Sequence, residues 1–237
     1  MNRIIDAELY KLKKNKAFWL SLILIVAFYL ASAFVSLPEL GHNPKSATLQ
    51  GNMSSFATIL PLFMTIIATA LAQKDYNYGT MKNVISSGAS RKDIYLGRLV
   101  VGILAMFILF VVDGVVSMAA VAIAGGNMSV DILIVMKALF IQLIVSINYV
   151  VFDYMIGSLI HNSTIAILIC YLYYMFGAAI FGLAGAYLNI SGLNNYTLPG
   201  IERNAASAGP LQIIIVTTII LLMACVGYKI FEKQDIH

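Results

Sequence analysis

The sequence predicts an all-α membrane protein, with six transmembrane helices, an amphipathic interface helix before them and both termini in the cytoplasm. Three observations lead to this prediction: an apolar composition, apolar runs long enough to cross a bilayer, and an uneven distribution of lysine and arginine. Hydrophobic residues make up 60% of the 237 residues and charged residues only 11%, and the mean hydropathy is +0.88. Soluble domains carry about 25% charged residues, so this composition indicates a chain embedded in lipid.

Six apolar runs divide the chain into spans joined by short polar loops. A bilayer core about 30 Å thick needs about 20 helical residues, and each run has close to that length or more. Pro61 is expected to kink the second span. The polar stretches are too short for an independent core, so residues 1–237 form a single transmembrane domain. The predicted spans are residues 18–36, 53–72, 99–124, 132–159, 164–188 and 211–231.

Residues 2–16 precede the first span and have the pattern of a helix lying in the membrane interface. Ile5, Leu9 and Leu12 recur at helical spacing, whereas most lysines of this segment lie off that stripe. Such a helix contacts lipid head groups through its basic face, which makes membrane lipid an expected partner. The alternative is a solvated basic segment that leads into the first span.

The basic residues orient the spans. Twelve of the fifteen lysines and arginines fall in the amino-terminal segment, in the loop between spans two and three, or in the carboxyl-terminal tail. Short loops rich in lysine and arginine stay in the cytoplasm, which predicts that both termini lie there. The same distribution attributes the net charge of +4 to lipid head groups and argues against nucleic acid as a partner.

The sequence motifs of common enzymes and metal sites are missing. No G-x-x-x-x-G-K-[ST] loop is present to hold nucleotide phosphates, and the three histidines do not have the H-E-x-x-H spacing of a zinc site. Cys170 and Cys225 both lie in apolar runs, where they behave as small hydrophobic residues. We therefore expect no catalytic residue, no bound metal and no ATP site in this chain.

The loop of residues 73–98 has the most informative pattern outside the spans. Ser90 followed by Asp93 is the pattern of a capping box that opens the next helix, and Gly88 can end a helix before it. An apolar stripe before Gly88 predicts a short amphipathic helix that faces the cytoplasm. The alternative is a plain connecting loop. The residues of the stripe are Met81, Val84 and Ile85.

Taken together, these segments resemble the type-2 permease family of ABC exporters. The resemblance rests on an E-x-x-K-L start at Glu8, Lys11 and Leu12, a G-T-x-x-x-x-(I/L)-x-x-G-x-S-R loop from Gly79 to Arg91, and a closing D-I pair. It covers the layout of the chain from end to end. The chain is similar to permeases that export lantibiotics, bacteriocins or peptide antibiotics or confer immunity to them.

The resemblance implies one subunit of an exporter. It implies a cytoplasmic interface helix at residues 2–16, a coupling helix that docks on a separate ABC ATPase, and pairing with a second permease as a homodimer or heterodimer. ATP and Mg²⁺ would lie on the ATPase, and this chain would bind no cofactor directly. Short re-entrant or extracellular helices are implied for residues 189–209. The implied coupling residues are Gly79, Thr80, Met81, Val84, Ile85 and Arg91.

Three charged residues lie within the apolar runs, where an unpaired charge costs about 2.5–3.5 kcal/mol on insertion scales. Counting residues along the helices places Asp113 and Lys137 at similar depth, which predicts an ion pair between spans three and four. Asp153 falls near the inner surface, within reach of Arg98 or His161. These charges are interpreted first as structural locks, and the alternative is a role in moving protons or substrate.

Small residues line one face of the fifth span. Ala178, Gly182 and Ala186 follow a small-x-x-x-small spacing that permits close approach of another helix. The sequence leaves two partners open for this face, another helix of the same subunit or a second permease.

The predicted function, as the resemblance implies it, is that of the transmembrane subunit of an ATP-driven exporter in the bacterial plasma membrane. Its cargo would be amphipathic or hydrophobic, such as a peptide antibiotic, a bacteriocin, a drug or a lipid-like molecule, because the interior has few fixed charges. Two alternatives stay open. One is a self-contained secondary carrier or channel that uses Asp113, Lys137 and Asp153 as a charge relay. The other is a membrane scaffold or sensor that transports nothing.

Overall fold

The architecture comes from a computed structural model that describes residues 2–35, 60–73, 84, 88–123, 132–160, 162–190, 192–205 and 208–233. Within these residues all regular secondary structure is helical. The elements, in chain order, are α1 (Asn2–Lys13), α2 (Lys16–Val35), α3 (Leu60–Gln73), α4 (Arg91–Ile123), α5 (Ile132–Leu159), α6 (Ser163–Tyr187), a 3₁₀ turn (Leu193–Tyr196), α7 (Leu198–Arg203) and α8 (Pro210–Lys233).

Five of these helices, α2, α4, α5, α6 and α8, are long and apolar enough to cross a membrane. The predicted all-α membrane fold is confirmed to that extent. α3 is a shorter apolar helix that corresponds to the later part of the second predicted span. The earlier part of that span, residues 53–59, lies outside the described residues. A full-length second span, and with it the total of six, the interfacial position of α1 and the cytoplasmic location of the termini stay predictions.

α4 begins eight residues before the predicted third span. The Ser90 hydroxyl accepts the backbone N–H of Asp93 at 3.0 Å, which confirms the predicted helix start. Gly88 just before it has φ +86°, a left-handed conformation that glycine adopts without strain. Hydropathy predicted the start of this helix too late, because the first turns of α4 are polar. With 33 residues, α4 is about 50 Å long and extends beyond a bilayer core.

One end of the bundle, called the base below, brings together α1, the carboxyl ends of α3, α5 and α8, and the amino end of α4. The amide Nε2 of Gln73, at the end of α3, donates to the carbonyl oxygens of Gly157 and Ile160 at 3.1 and 2.5 Å. Gly157 allows this approach, because a Cβ there would lie 3.2 Å from the Cα of Thr69. At the base, α3 and α5 are therefore held together by side-chain-to-backbone hydrogen bonds and by close approach of their backbones.

At the opposite end, residues 192–205 form a segment made of the 3₁₀ turn and α7, called the re-entrant segment below because it folds back into the helix bundle. Leu198, Ile201 and Ala205 are buried in a cluster formed with α5, α6 and α8. Ile201 packs near Ile141 and Val145, which lie about 14 and 20 Å along α5 from its first residue. The short helices implied for residues 189–209 are thus confirmed, and α7 reaches the middle of α5.

The small residues of α6 contact this segment. A Cβ at Gly185 would lie 2.9 Å from the Cβ of Leu193 and 2.7 Å from the carbonyl oxygen of Ile190. A Cβ at Gly182 would lie 3.7 Å from the Cβ of Asn194. Within the predicted series, Gly182 thus contacts the turn that follows α6 in the same subunit, whereas Gly185 lies outside that series, and packing on a second permease stays a prediction.

Replacing Gly200 by alanine is expected to destabilise the re-entrant segment by about 1–3 kcal/mol, a typical result of overpacking. The added Cβ would meet the backbone of Asn194, which cannot rotate away, and would lie 3.0 Å from the hydroxyl of Thr197. Gly209→Ala in the same connection is the matched control, because nothing lies within 4 Å of a Cβ there. Thermal unfolding of the purified chain measures both. Equal melting temperatures for the two variants would contradict the prediction.

Candidate functional site

The base is the candidate coupling site, and it starts from Glu8 on α1. Glu8 follows Ile5 by three residues and precedes Leu12 by four, so it lies on the apolar face of the helix. It is only 4% exposed, and Leu12 beside it is 3% exposed. One oxygen of Glu8 accepts from Nζ of Lys11 at 2.8 Å and from Nε of Arg98 at 3.3 Å. The face of α1 that packs against α4 therefore carries a buried carboxylate with two cationic partners.

Of the two ion pairs that Glu8 forms, the one with Arg98 is expected to affect stability more. The Arg98 side chain is fully buried, whereas that of Lys11 is 27% exposed. A buried guanidinium needs a charged partner to offset its desolvation. The predicted proximity of Arg98 to Asp153 is wrong, since Arg98 points to α1 and pairs with Glu8. The ion pair ties α1 to the second turn of α4, seven residues after Arg91.

Arg91, the first residue of α4, attaches the start of this helix to α8. Its guanidinium donates to the carbonyl oxygen of Glu232, in the last turn of α8, at 2.5 Å. Carbonyl groups at a helix end have no partner within the helix, so a cation there is favourable. The start of α4 and the end of α8 are thereby joined.

Tyr95 fills the space between Arg91 and Arg98. Its ring is buried and packs on Tyr154 of α5 and on Phe231 of α8, with ring centroids 5.0 and 5.7 Å away. Val84, from the segment before α4, packs against the same cluster. The base thus holds the entry of α4 against α1, α5 and α8 at once.

The predicted coupling residues divide into two groups. Val84 is half-buried at the base, and Arg91 begins α4. The other four lie outside the described residues, and the docking role of the whole set stays a prediction. Those four are Gly79, Thr80, Met81 and Ile85.

Asp113 and Lys137, both within the described residues, do not form the predicted ion pair. Asp113 is fully buried and faces Tyr29 of α2, whereas Lys137 is exposed on α5 beside the exposed Met136 and Phe140. The depth estimate was compatible with a pair, but depth along a helix does not determine which face a residue occupies. The prediction is wrong for that reason.

Asp153 lies at the junction of three helices. Its carboxylate accepts from the Thr65 hydroxyl of α3 at 3.2 Å and from the Tyr174 hydroxyl of α6, and Cys170 lies beside it. Asp153 itself is 0% exposed. Hydroxyl groups rather than Arg98 are its partners, and His161 lies outside the described residues. This arrangement fits the structural lock that the sequence favoured.

A further buried carboxylate, on the re-entrant segment, was not predicted. Glu202 of α7 is 4% exposed and accepts from the Tyr149 hydroxyl of α5 at 2.9 Å. The sequence placed Glu202 in a polar loop, and no periodicity showed that α7 enters the bundle. Glu8 could have been found, since an acid within an apolar helical stripe predicts burial and a cationic partner.

The base is held together by packing and by charge pairing. Among the residues that the structure describes, no group of three His, Cys, Asp or Glu side chains is placed to hold a metal ion. What the base offers is a continuous helix, α4, whose entry is held on three sides.

Comparison with known proteins gives one family match. A family model described as an ABC-2 family transporter protein matches residues 4–177, which extend from α1 into α6 and include most of the base. No curated protein matches the chain significantly.

Proposed function

Since the chain belongs to the ABC-2 family of transporter proteins, whose members are permease subunits of ABC transporters, we propose that it exports an amphipathic or hydrophobic cargo with energy from a separate ABC ATPase. The chain is a multi-pass membrane protein with five helices suited to cross a bilayer. In the proposed complex, the ATPase binds ATP and Mg²⁺, docks on residues 79–91, and pairs two permeases. The plasma membrane of a bacterium is the proposed location.

The observation that supports this function best is how the entry of α4 is anchored at the base. Arg91, Tyr95 and Arg98 lie on the first turns of one 33-residue helix and contact α8, α5 and α1 in turn. A displacement applied just before Arg91 would therefore move α1, α4 and α8 together rather than bend a loop. Coupling of this kind is what a permease needs when the energy-converting site is on another chain.

The cargo proposal follows from the interior of the bundle. The buried surfaces of α2 and α4 are mainly aliphatic and aromatic, and α5 adds the neutral polar side chains of Gln142, Ser146 and Asn148. The buried acid of α5, Asp153, is already bonded to hydroxyl groups. An apolar or amphipathic molecule such as a peptide antibiotic, a bacteriocin, a drug or a lipid-like compound suits these surfaces better than a small ion.

A secondary carrier is less well supported. Its charge relay required Asp113, Lys137 and Asp153 to face one another, and Lys137 lies on an exposed face while both acids are buried. A relay across these three positions would need a different packing of α4 against α5.

The ATPase partnership is tested by co-purification. Joint replacement of Val84 and Ile85 by aspartate is expected to abolish recovery of a co-expressed ABC ATPase with the tagged permease, because charges replace the apolar stripe of the coupling segment. Lys92→Glu is the matched control: Lys92 is an exposed residue of the first turn of α4, and its charge also becomes negative. The control should retain the ATPase.

Inverted membrane vesicles test the direction of transport. A fluorescent amphipathic peptide should accumulate inside them only when permease, ATPase and ATP are all present, and the Val84 and Ile85 double variant should lose this accumulation. Uptake that needs only the permease and an ion gradient would refute the exporter and support the carrier.

A further inference from the structure

The re-entrant segment is held deep in the bundle by apolar contacts and by polar ones, which include a bond from the Gln212 amide to the Asn195 carbonyl at 3.2 Å and a buried pair formed by Glu202 and Tyr149. Ile201, on one side of α7, packs near Val145 of α5 and Val216 of α8. On another side, the carboxylate of Glu202 accepts from the Tyr149 hydroxyl at 2.9 Å. Tyr149 follows Val145 by four residues, so both lie on the face of α5 that α7 covers.

Tyr149 connects this contact to the Asp153 junction. The Tyr149 ring meets the Tyr174 ring edge to face, with centroids 4.6 Å apart, and the Tyr174 hydroxyl donates to Asp153. Edge-to-face aromatic pairs hold both rings in defined orientations. The Tyr149 hydroxyl is therefore aimed at α7 by a packed junction that does not include α7.

The two sides of the contact differ in how firmly they are held. Tyr149 and Tyr174 lie on long helices and are buried to 1% and 8% exposure. α7 has only six residues, and Thr197 alone separates it from the 3₁₀ turn. If the two sides separate, α7 is thus the part that moves, and the Glu202 carboxylate would exchange Tyr149 for water.

We propose that Glu202 and Tyr149 are positioning residues that latch the re-entrant segment as a plug at its end of the transport route. The plug is closed while the hydrogen bond is made, and the route opens toward that side when α7 withdraws. Only the interpretation that the plug closes a transport route rests on the proposed export function. The geometry of the latch and its test need neither ATPase nor cargo.

The test follows the reactivity of a thiol placed under the plug. Val145→Cys, a change of similar size, puts a thiol beneath α7, where Val145 is 0% exposed. Cys225→Ser removes the exposed native thiol, and the buried Cys170 remains as an internal reference for general loosening. Full-length protein in right-side-out and inverted vesicles is treated with a membrane-impermeant maleimide, and mass spectrometry assigns the labelled position.

In this background the thiol at position 145 should be protected from both sides. Adding Tyr149→Phe, which removes the hydroxyl and keeps the ring, should raise its labelling rate about tenfold or more, because a hydrogen bond to a buried carboxylate shifts a local opening equilibrium by at least that factor. The increase should come only from the side that carries residues 189–209. Glu202→Leu should act in the same way. Glu202→Gln keeps an acceptor oxygen, so the thiol at position 145 should stay protected in that variant.

Tyr171→Phe is the matched control. It also removes a tyrosine hydroxyl from α6, but that hydroxyl donates to the Leu62 carbonyl of α3 at 2.8 Å and does not touch α7. The latch is refuted if Tyr149→Phe leaves position 145 protected, if Tyr171→Phe exposes it equally, or if Cys170 becomes labelled at the same rate. Each of these results would mean that the hydrogen bond between Tyr149 and Glu202 contributes to the packing of the bundle and does not control access to position 145.

Discussion

Glu8→Leu is expected to lower the free energy of unfolding by about 3–5 kcal/mol, because it leaves the guanidinium of Arg98 buried without its carboxylate. The Arg98 side chain has 0% exposure, so water cannot replace the lost partner unless the packing of α1 on α4 opens. Since α1 would lose its anchor on α4, the same variant should also lose ATP-dependent transport. Unfolding in mixed micelles measures the first effect and vesicle accumulation the second.

A double-mutant cycle distinguishes charge pairing from packing. The variant with both Glu8→Leu and Arg98→Leu should recover most of the lost stability, because hydrophobic replacement of a whole buried ion pair is often neutral. Lys11→Leu is the control, since it removes only the more exposed cation and should change stability by less than about 1 kcal/mol. Additive losses in the double variant would mean that the pair contributes nothing as a pair.

Asp153→Leu is expected to have the second largest effect, about 3 kcal/mol of lost stability. The Tyr174 hydroxyl would lose an acceptor whose hydrogen bond contributes about 1.5–3 kcal/mol, and it would stay buried without a replacement. Thr65 is less affected, since the carbonyl of Pro61, 2.9 Å from its hydroxyl, is a second acceptor for the same proton. Chemical denaturation followed by tyrosine fluorescence measures the change.

The companion variants of Asp153 separate a lock from a proton site. Asp153→Asn keeps an acceptor for Tyr174 and should retain both most of the stability and ATP-driven transport. Adding Tyr174→Phe to Asp153→Leu should recover part of the loss, because no hydroxyl is then left unpaired. Full stability with abolished transport in Asp153→Asn would contradict the lock and indicate a carboxylate that functions in the transport cycle.

Local sequence signals predicted the elements well where one physical cause dominates. The long apolar runs predicted five spans that have counterparts in the structure, because a bilayer demands a fixed length of apolar helix. The Ser90 and Asp93 signal identified the start of α4 more accurately than hydropathy did, because capping depends on neighbouring backbone groups alone.

Partners across the bundle could not be predicted in the same way. Residue counting gave a depth for Asp113 and Lys137, yet only packing sets the face that each helix presents, and the two residues face different surroundings. For Asp153, the partners are hydroxyl groups that occur in every span, so the sequence had no reason to choose Thr65 and Tyr174.

By itself, then, the sequence determined that this chain is a helical membrane permease, since composition, run length and the order of short motifs are local properties. The tertiary structure alone decided which polar side chains meet: Glu8 with Arg98 at the base, and Glu202 with Tyr149 beneath the re-entrant segment. These pairs join positions 90 and 53 residues apart. Contacts over such separations depend on how helices rotate and pack, which no local pattern encodes.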